Sequence, residues 1–564
     1  MESSLDSADA LARLAKEYWE ERMYNEPLFA TALGDRRFDD RFPDISPEGR
    51  KRAIRQYEEV VRRCKSIDER RLPGRDGITR TALLVDAESV VDYCSCGLDE
   101  WVVDPLQGIQ VELMNVESYQ PVRTVEEGRA MVKRWQAIRQ YLGQHVVNLQ
   151  NGIAERRVAV RAAVEKVLEE LDDVLAKPDS EWALLRPLSV DHGDWTEGDK
   201  EEFKRGLEAA VRDSARPAFA MYRDFLRAEL LPAARPQDKP GIMYISRGSE
   251  VYPKLIRVHT SLELTPAQLH GTGMSEVAKI NGEMERLGEK VFGTGDRKEI
   301  LRRLRTDPSL YFSSRDEVAA KAETALARAN AAISKWFGRL PGTPCEVVRM
   351  EEHEEKHSTI AYYRPPAADG SRPGRYYINT SAPETRPRYE AEALAYHESV
   401  PGHHLQIAIA QELEGIPEFR KNSGVTAFIE GWGLYSERLA DEMGLYSSDL
   451  DRIGILSFDA WRACRLVVDT GMHAMGWTRA QAIDFMMENT ALARNNVVNE
   501  VDRYITWPGQ ALAYKTGQLE IVRLREAAKK RLGARFDIRR FHDVLLGNGA
   551  VPLQVLRRTM EEYD

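Results

Sequence analysis

The sequence predicts a mainly α protein carrying one small antiparallel sheet. Three observations lead there. Apolar residues recur at helical spacing through most of the first 240 residues and again from Arg388 onward. Only three short runs, Cys345–Met350, Ser358–Tyr363 and Arg375–Asn379, are rich enough in β-branched and aromatic residues to read as strands. The mix of 43% hydrophobic and 30% charged residues is that of a folded globular chain, not of a disordered or fibrous one.

Taken in order, the first helices are expected over Ala10–Met23, Pro47–Cys64, Ile78–Val91, Val125–Val147, Ala154–Leu175 and Glu197–Leu231. The second should open with Ser46 as its cap and Pro47 in its first turn. Pro73-Gly74 and Arg186-Pro187 mark intervening loops. From Pro232 to Arg257 the texture turns to Pro, Gly and Tyr, which suggests a boundary. A helix should follow Thr265-Pro266 and run through Glu285, and another covers Ala319–Phe337. The stretch Arg364–Gly374 is expected to be a long hairpin loop between the second and third strands. This divides the chain into 1–240, 241–387 and 388–564, sub-domains of one continuous unit.

Composition excludes several function classes. No run approaches 18 apolar residues, so no membrane-spanning helix is expected. Met1–Asp9 is acidic and polar with no apolar segment of the signal-peptide kind, so the expected address is cytoplasmic. The 80 basic and 90 acidic residues are interleaved, with no basic stripe to meet the phosphates of a nucleic acid. Five cysteines make no disulfide framework, and Cys94 and Cys96 lack a second pair to close a zinc site. They read as free thiols on a helix.

The chemistry concentrates in His397-Glu398-Ser399-Val400-Pro401-Gly402-His403-His404. Imidazole nitrogen suits zinc, and a carboxylate beside the ion can act as general base toward water. In the helical H-E-x-x-H arrangement the two histidines lie one turn apart. Here, on an unbroken helix, His403 would sit about 120° round from His397 and ~9 Å along it. His404 would return to the same face, but ~10.5 Å away. Pro401 removes a hydrogen bond and clashes with the His397 carbonyl, and Gly402 tolerates unusual dihedrals. A local bulge between Val400 and Gly402 could therefore turn His403 back toward His397, with His404 left as the alternative. A third ligand should come from another helix, and Glu430 in Phe428–Glu437 is the candidate. Glu437, seven residues on along the same face, could be a further ligand or hold a ligating histidine. A literal H-E-x-x-H at His353–His357 lies in a charge-dense stretch between two strands, without the helix such a motif needs.

Two later stretches carry further candidates. Arg465, Asp469 and His473 share a helical face. Glu500–Lys515 brings Arg503, Tyr504, Gln510, Tyr514 and Lys515 together around Pro508-Gly509. Tyr and His donors suit an oxyanion, and Arg or Lys suits a substrate carboxylate.

Together these stretches resemble a large, mainly bacterial family classed as a domain of unknown function, with the signature H-E-x-x-P-G-H. Its other segments here are Thr31–Gly34 with Arg37–Asp40, Tyr252–His259, Leu264–Pro266, Gly370–Gly374, Glu430–Trp432, Asp469–His473 and Arg503–Gly517. Ile245–Gly248 departs from the pattern, which has a Pro-Gly type turn there. The family is similar to helical zinc peptidases of the oligopeptidase and angiotensin-converting-enzyme type. That resemblance implies a zincin-like helical shell around a deep cleft, with a sheet edge able to pair with an extended substrate. It further implies one zinc per chain on His397, His403 and Glu430, and Glu398 as the group that activates water. Tyr504 or Tyr514, with His473, would stabilise the oxyanion.

The expected function is zinc-dependent hydrolysis of an amide in a short peptide or peptide-like molecule bearing a free carboxylate. Arg465, Arg503 and Lys515 would meet that carboxylate, with Gln510 and Asn379 as further binding residues. No nucleic acid or membrane partner is expected, and the chain would be a monomer or homodimer. Two alternatives stand beside this: a metal-dependent biosynthetic enzyme acting on a non-peptide metabolite, and a metal-free binding or scaffold protein.

Overall fold

Ser46 caps the helix Pro47–Ser66 by accepting a hydrogen bond from the Gly49 amide at 3.0 Å, and Pro47 occupies a position whose N–H would have no partner. Thr265 and Gln268 form a reciprocal capping box that opens the helix Pro266–Phe292, one turn of it again set by a proline. That helix outruns its expected end at Glu285 and stops at Gly293, whose φ of +69° suits a residue without a Cβ. The computed structural model that shows these ends describes residues 2–72, 74–355, 359–367, 372–422, 424–561 and 563.

The helical expectation holds over the N-terminal half, with three refinements. Val125–Val147 is two helices, Val125–Gln136 and Ile138–Ala154, and the next begins only at Arg161, after Arg156 turns left-handed at φ +59°. The run from Glu197 is continuous to Ala233, but it widens to π geometry at Val211–Ala215 and Leu226–Leu230. Each widened turn lies just before a proline, Pro217 or Pro232, where a normal helical hydrogen bond has no donor. The Pro- and Gly-rich texture around 232–257 conceals a helix, Gly248–Thr260, whose Val251, Tyr252, Leu255, Ile256 and His259 are buried.

The sheet contains β1 (Cys345–Arg349), β2 (Ala361–Arg364) and β3 (Gly374–Ile378) in the order β1-β3-β2. β2 and β3 form the expected hairpin, with Tyr362 opposite Tyr377 and their rings stacked at 4.9 Å. The all-antiparallel expectation is corrected at β1, which runs parallel to β3. Between them the chain makes the short helix Glu352–Glu355 and the whole of β2, a connection long enough to bring it back in the same direction. β2 is left at an edge. Residues 368–371 of the hairpin loop lie outside the described residues, as does His357 of the literal H-E-x-x-H, whose His353 and Glu354 belong to the short helix Glu352–Glu355.

Burial ties distant segments together. Pro266–Phe292 packs along Asp449–Ala474, joining Ile280 and Met284 to Ala463, Val467 and Val468 in one apolar cluster. Thr426–Glu442 packs along Ala513–Leu532, and here two glycines are required. A Cβ on Gly431 would meet the Gly517 backbone at 2.5 Å, and one on Gly517 would overlap the Ala427 carbonyl. Near the N-terminus, buried Arg134 donates to Thr31 Oγ1 at 2.9 Å, and that hydroxyl donates to Asp39 at 2.6 Å. The Thr31–Asp40 stretch thus secures the frame. The five cysteines are free thiols, and no helix among the described residues is long and apolar enough to cross a membrane.

Candidate metal centre

The His397 helix ends where Pro401 and Gly402 demand it. Ala391–Glu398 stops, Ser399–Gly402 form a turn, and a new helix runs from His403 to Gln411. The structure therefore breaks the helix where the sequence reading expected a bulge. The turn's carbonyls find buried donors: Trp432 Nε1 donates to Pro401 O at 2.9 Å, and Ser436 Oγ to the same oxygen at 3.2 Å. Both donors sit on Thr426–Glu442, the helix that carries Glu430. A Cβ at Gly402 would overlap the His397 carbonyl oxygen, so the turn can close this tightly only with glycine.

That closure brings the two imidazoles together, with ring centres 4.6 Å apart and planes at 84°. Glu430 Oε2 lies 3.5 Å from His397 Nε2 and 3.7 Å from His403 Nε2. One donor atom from each of the three residues falls within 4.8 Å of the others. Two ligands each ~2.1 Å from a tetrahedral ion are themselves ~3.4 Å apart, so the spacing fits a single metal ion. The outer partner fits too. Glu437 Oε1 is 2.8 Å from His397 Nδ1, leaving Nε2 free to ligate, and both residues are buried. A Cβ on Gly433 would come within 2.5 Å of the His397 ring, so this glycine makes room for it. His403, His397 and Glu430 could thus hold a metal ion.

Electrostatics agree with the geometry. Burial pulls His397 down, but Glu430 and Glu437 outweigh it and hold the imidazole up at about 10. Burial pushes Glu430 up, but its hydrogen bond to His397 and the two imidazole charges bring it down to about 2. Burial lowers His403 to about 4, with the His397 charge adding to the effect. The negative potential that favours a proton on His397 equally favours a divalent cation between the three groups. His404 takes no part: its Nδ1 meets the Tyr363 hydroxyl at 3.0 Å and its Nε2 the Thr343 carbonyl at 3.1 Å.

A cavity of about 470 Å³ opens in front of the triad, bounded by β2 on one side and by the Asp449–Ala474 helix on the other. Glu398, Glu390, Arg462, Arg465 and Tyr514 line it. Burial pushes the Glu398 carboxyl up to about 7, with His397 opposing and Glu430 adding to the rise. Asn379 also lines the cavity, but its side chain is spent on the turn after β3. It donates to the Glu355 carbonyl at 2.7 Å and accepts from Ser381 Oγ at 2.7 Å.

Several residues expected in the site are placed elsewhere. His473 is buried outside the cavity lining, where Nδ1 accepts from the Ile242 amide at 3.1 Å and Nε2 donates to the Tyr504 carbonyl at 2.9 Å. The Tyr504 hydroxyl donates to Glu500 at 2.7 Å and accepts from Arg465 Nε and Trp461 Nε1, so it steadies Arg465 rather than facing the cavity. Arg503 pairs with Glu500 at 2.9 Å and donates to Gln510, which occupies both. Lys515 is buried between Asp459 at 2.6 Å and Glu276 at 3.0 Å. The physical reason is shared: each of these polar groups has an internal partner that the linear sequence does not show. Of the cations proposed for a substrate carboxylate, only Arg465 reaches the cavity. Of the proposed oxyanion donors, only Tyr514 does.

Sequence reasoning passed over Glu390, Phe458, Trp461 and Arg462. Their signal was available: 458, 461, 462 and 465 fall at helical spacing on one helix, continuing the face that carries Asp469.

The pinned His473 gives a pH test. Burial holds its imidazole neutral, with a pKa near 3 in the fold. An unfolded histidine titrates near ~6.5, so the group's stabilising contribution is complete above that pH and is lost as pH falls toward ~3. A His473→Gln side chain can accept from Ile242 and donate to Tyr504 without titrating. Urea unfolding between pH 6.5 and 4.5 should therefore show the variant's stability falling less steeply, by about 1.4 kcal/mol per pH unit. Parallel slopes would mean that His473 is not held neutral.

Residues 27–560 match the family described as bacterial protein of unknown function (DUF885). The solved structure of "the putative lipoprotein from Colwellia psychrerythraea" is 28% identical, covers 99% of either chain and superposes with a TM-score of 0.90. That of "a putative lipoprotein of unknown function from Shewanella oneidensis" is 19% identical and covers 98% of this chain and all of its own, with a TM-score of 0.78, a likeness of fold. No curated protein matches. The length of the family match shows that the chain belongs to the DUF885 family of bacterial proteins of unknown function.

Proposed function

We propose that the chain is a zinc-dependent hydrolase of amide bonds in short peptides or peptide-like small molecules. The observation that carries this reading is the convergence of His397, His403 and Glu430 at the wall of a cavity that Glu398 also lines. Two imidazoles and a carboxylate suit zinc and leave a coordination position open, as catalytic rather than structural sites do. A bound ion would supply Lewis-acid polarisation of the carbonyl and make water acidic enough to attack at neutral pH.

The chain's own groups do the rest. Glu398 removes a proton from the attacking water and returns it to the amide nitrogen as the carbon–nitrogen bond breaks. Tyr514, the one expected oxyanion donor that lines the cavity, would donate to the oxyanion. β2 lines the cavity as an edge strand, and its backbone groups turned away from β3, apart from the Tyr363 amide that Glu398 accepts from, can pair with an extended peptide. The two solved relatives named above carry the description "putative lipoprotein", so a cell-envelope location competes with the cytoplasmic one; fractionation of native cells decides between them.

The test is metal analysis of gently purified protein, followed by a screen against dipeptides, N-acyl amino acids and non-peptide amides. About one zinc per chain and turnover of at least one amide class are expected. One zinc without hydrolysis of any amide would favour a biosynthetic reaction on another metabolite. Less than ~0.1 metal per chain would favour a metal-free binding protein, since sites of this donor set hold zinc tightly.

A further inference from the structure

Arg462 is 6% exposed and lines the cavity, yet among the described residues no carboxylate lies within ion-pair distance of it. Its guanidinium is held between two rings, 4.6 Å from the centre of Phe458 and 4.3 Å from that of Trp461. Its Nε is buried without a hydrogen-bond partner, and Nη1 makes a single long contact of 3.5 Å with the Phe458 carbonyl. Arg465, one turn further along, also has a buried Nη1 without a partner, but Glu500 at 3.1 Å balances its charge and Tyr504 takes its Nε.

A buried guanidinium with an unused edge is costly to keep, because its donors have left water without replacement. Aromatic stacking fixes the plane but satisfies none of the N–H groups. The edge matches one ligand chemistry closely, a carboxylate accepting two parallel hydrogen bonds. The rest of the cavity supports the match by exclusion. Of the two arginines that line the cavity, Arg465 is already paired with Glu500, whereas Arg462 feels only the longer-range pull of Glu390 and Glu398, whose carboxyls burial pushes up to about 7, so Arg462 is the cation left to meet an anion. The volume of about 470 Å³ suits a small molecule or a very short peptide.

We infer that Arg462 anchors a substrate carboxylate, so that the site selects amides bearing a free acid close to the scissile bond. This rests on the hydrolase reading for the reaction but not for the binding. Arg462 thereby takes the role that the sequence assigned to Arg503 and Lys515.

The test compares N-benzoylglycine with its terminal amide, by calorimetric binding to the full chain, metal-loaded and chelator-stripped. In both forms the acid is expected to bind roughly 100-fold tighter than the amide. In Arg462→Met, with its melting temperature checked, the preference should collapse to less than about threefold, and Arg462→Lys should restore part of it. Equal binding of acid and amide to the natural chain would overturn the inference, and needs no variant. So would a preference that disappears on stripping the metal but survives in Arg462→Met, since the carboxylate would then sit on the ion. Selective binding without hydrolysis of either compound or of related peptides would remove the hydrolase reading and leave the anchor standing.

Discussion

Glu398→Gln should reduce amide hydrolysis by roughly 10³-fold or more while leaving the metal content at one ion per chain. The two halves of that expectation come from separate observations. Glu398 lines the cavity next to the triad but is not one of the three residues whose donor atoms converge, so its loss removes no ligand. Glutamine keeps the shape of the side chain and its hydrogen bonding, but cannot take a proton from water. A second buried carboxyl offers an internal control. Glu390 lines the same cavity, accepts from Ser457 Oγ at 2.7 Å and is pushed by burial to about 7. If Glu390→Gln abolished turnover and Glu398→Gln did not, the proton acceptor would be misassigned. If neither did, the general-base mechanism would fall.

The candidate metal ligands His397, His403 and Glu430 were legible because their evidence is local and chemical. Two histidines around Pro-Gly, with Glu430 just ahead of the glycine-flanked Trp432 close behind, cannot be read as an ordinary amphipathic helix. The helical body was legible for the same reason, since caps such as Ser46 and Thr265 act within one turn. What escaped depends on partners distant in the chain. Lys515 looks like a free cation until Asp459 and Glu276 fold against it. His473 looks like a catalytic donor until Ile242 and Tyr504 occupy both its nitrogens. β1 looks like one more antiparallel strand because its direction is set by a long connection, whereas the β2–β3 hairpin is set by adjacency. Arg462 was missed in the opposite sense. Flanked by Trp461 it reads as a surface arginine, and only the fold shows it buried without a carboxylate partner.

Gly402→Ala should weaken metal binding by about 10²-fold or more, a larger effect than any outer-sphere change, because it separates the ligands themselves. The six-residue step from His397 to His403 would leave the imidazoles on different faces of a continuous helix, ~9 Å apart along the axis. The turn Ser399–Gly402 removes that separation by letting the second helix begin against the end of the first. Its tightness is limited by the contact between Gly402 and the His397 carbonyl, where one added carbon overlaps the oxygen. Relief can come only by moving the His403 backbone away from Glu430 or by pushing the carbonyl, and His397 with it. Either movement needs to be only about an ångström to take a ligand from ~2.1 Å to a distance that no longer binds. The Pro401 carbonyl stays anchored by Trp432 and Ser436, so the displacement cannot be absorbed on that side of the turn. Competition with a chromogenic chelator measures the affinity. Gly433→Ala, which crowds the His397 ring from the opposite helix, should shift it in the same direction. If Gly402→Ala bound zinc as tightly as the natural chain, the broken helix would not be what places His403. The six-residue spacing would then need another explanation.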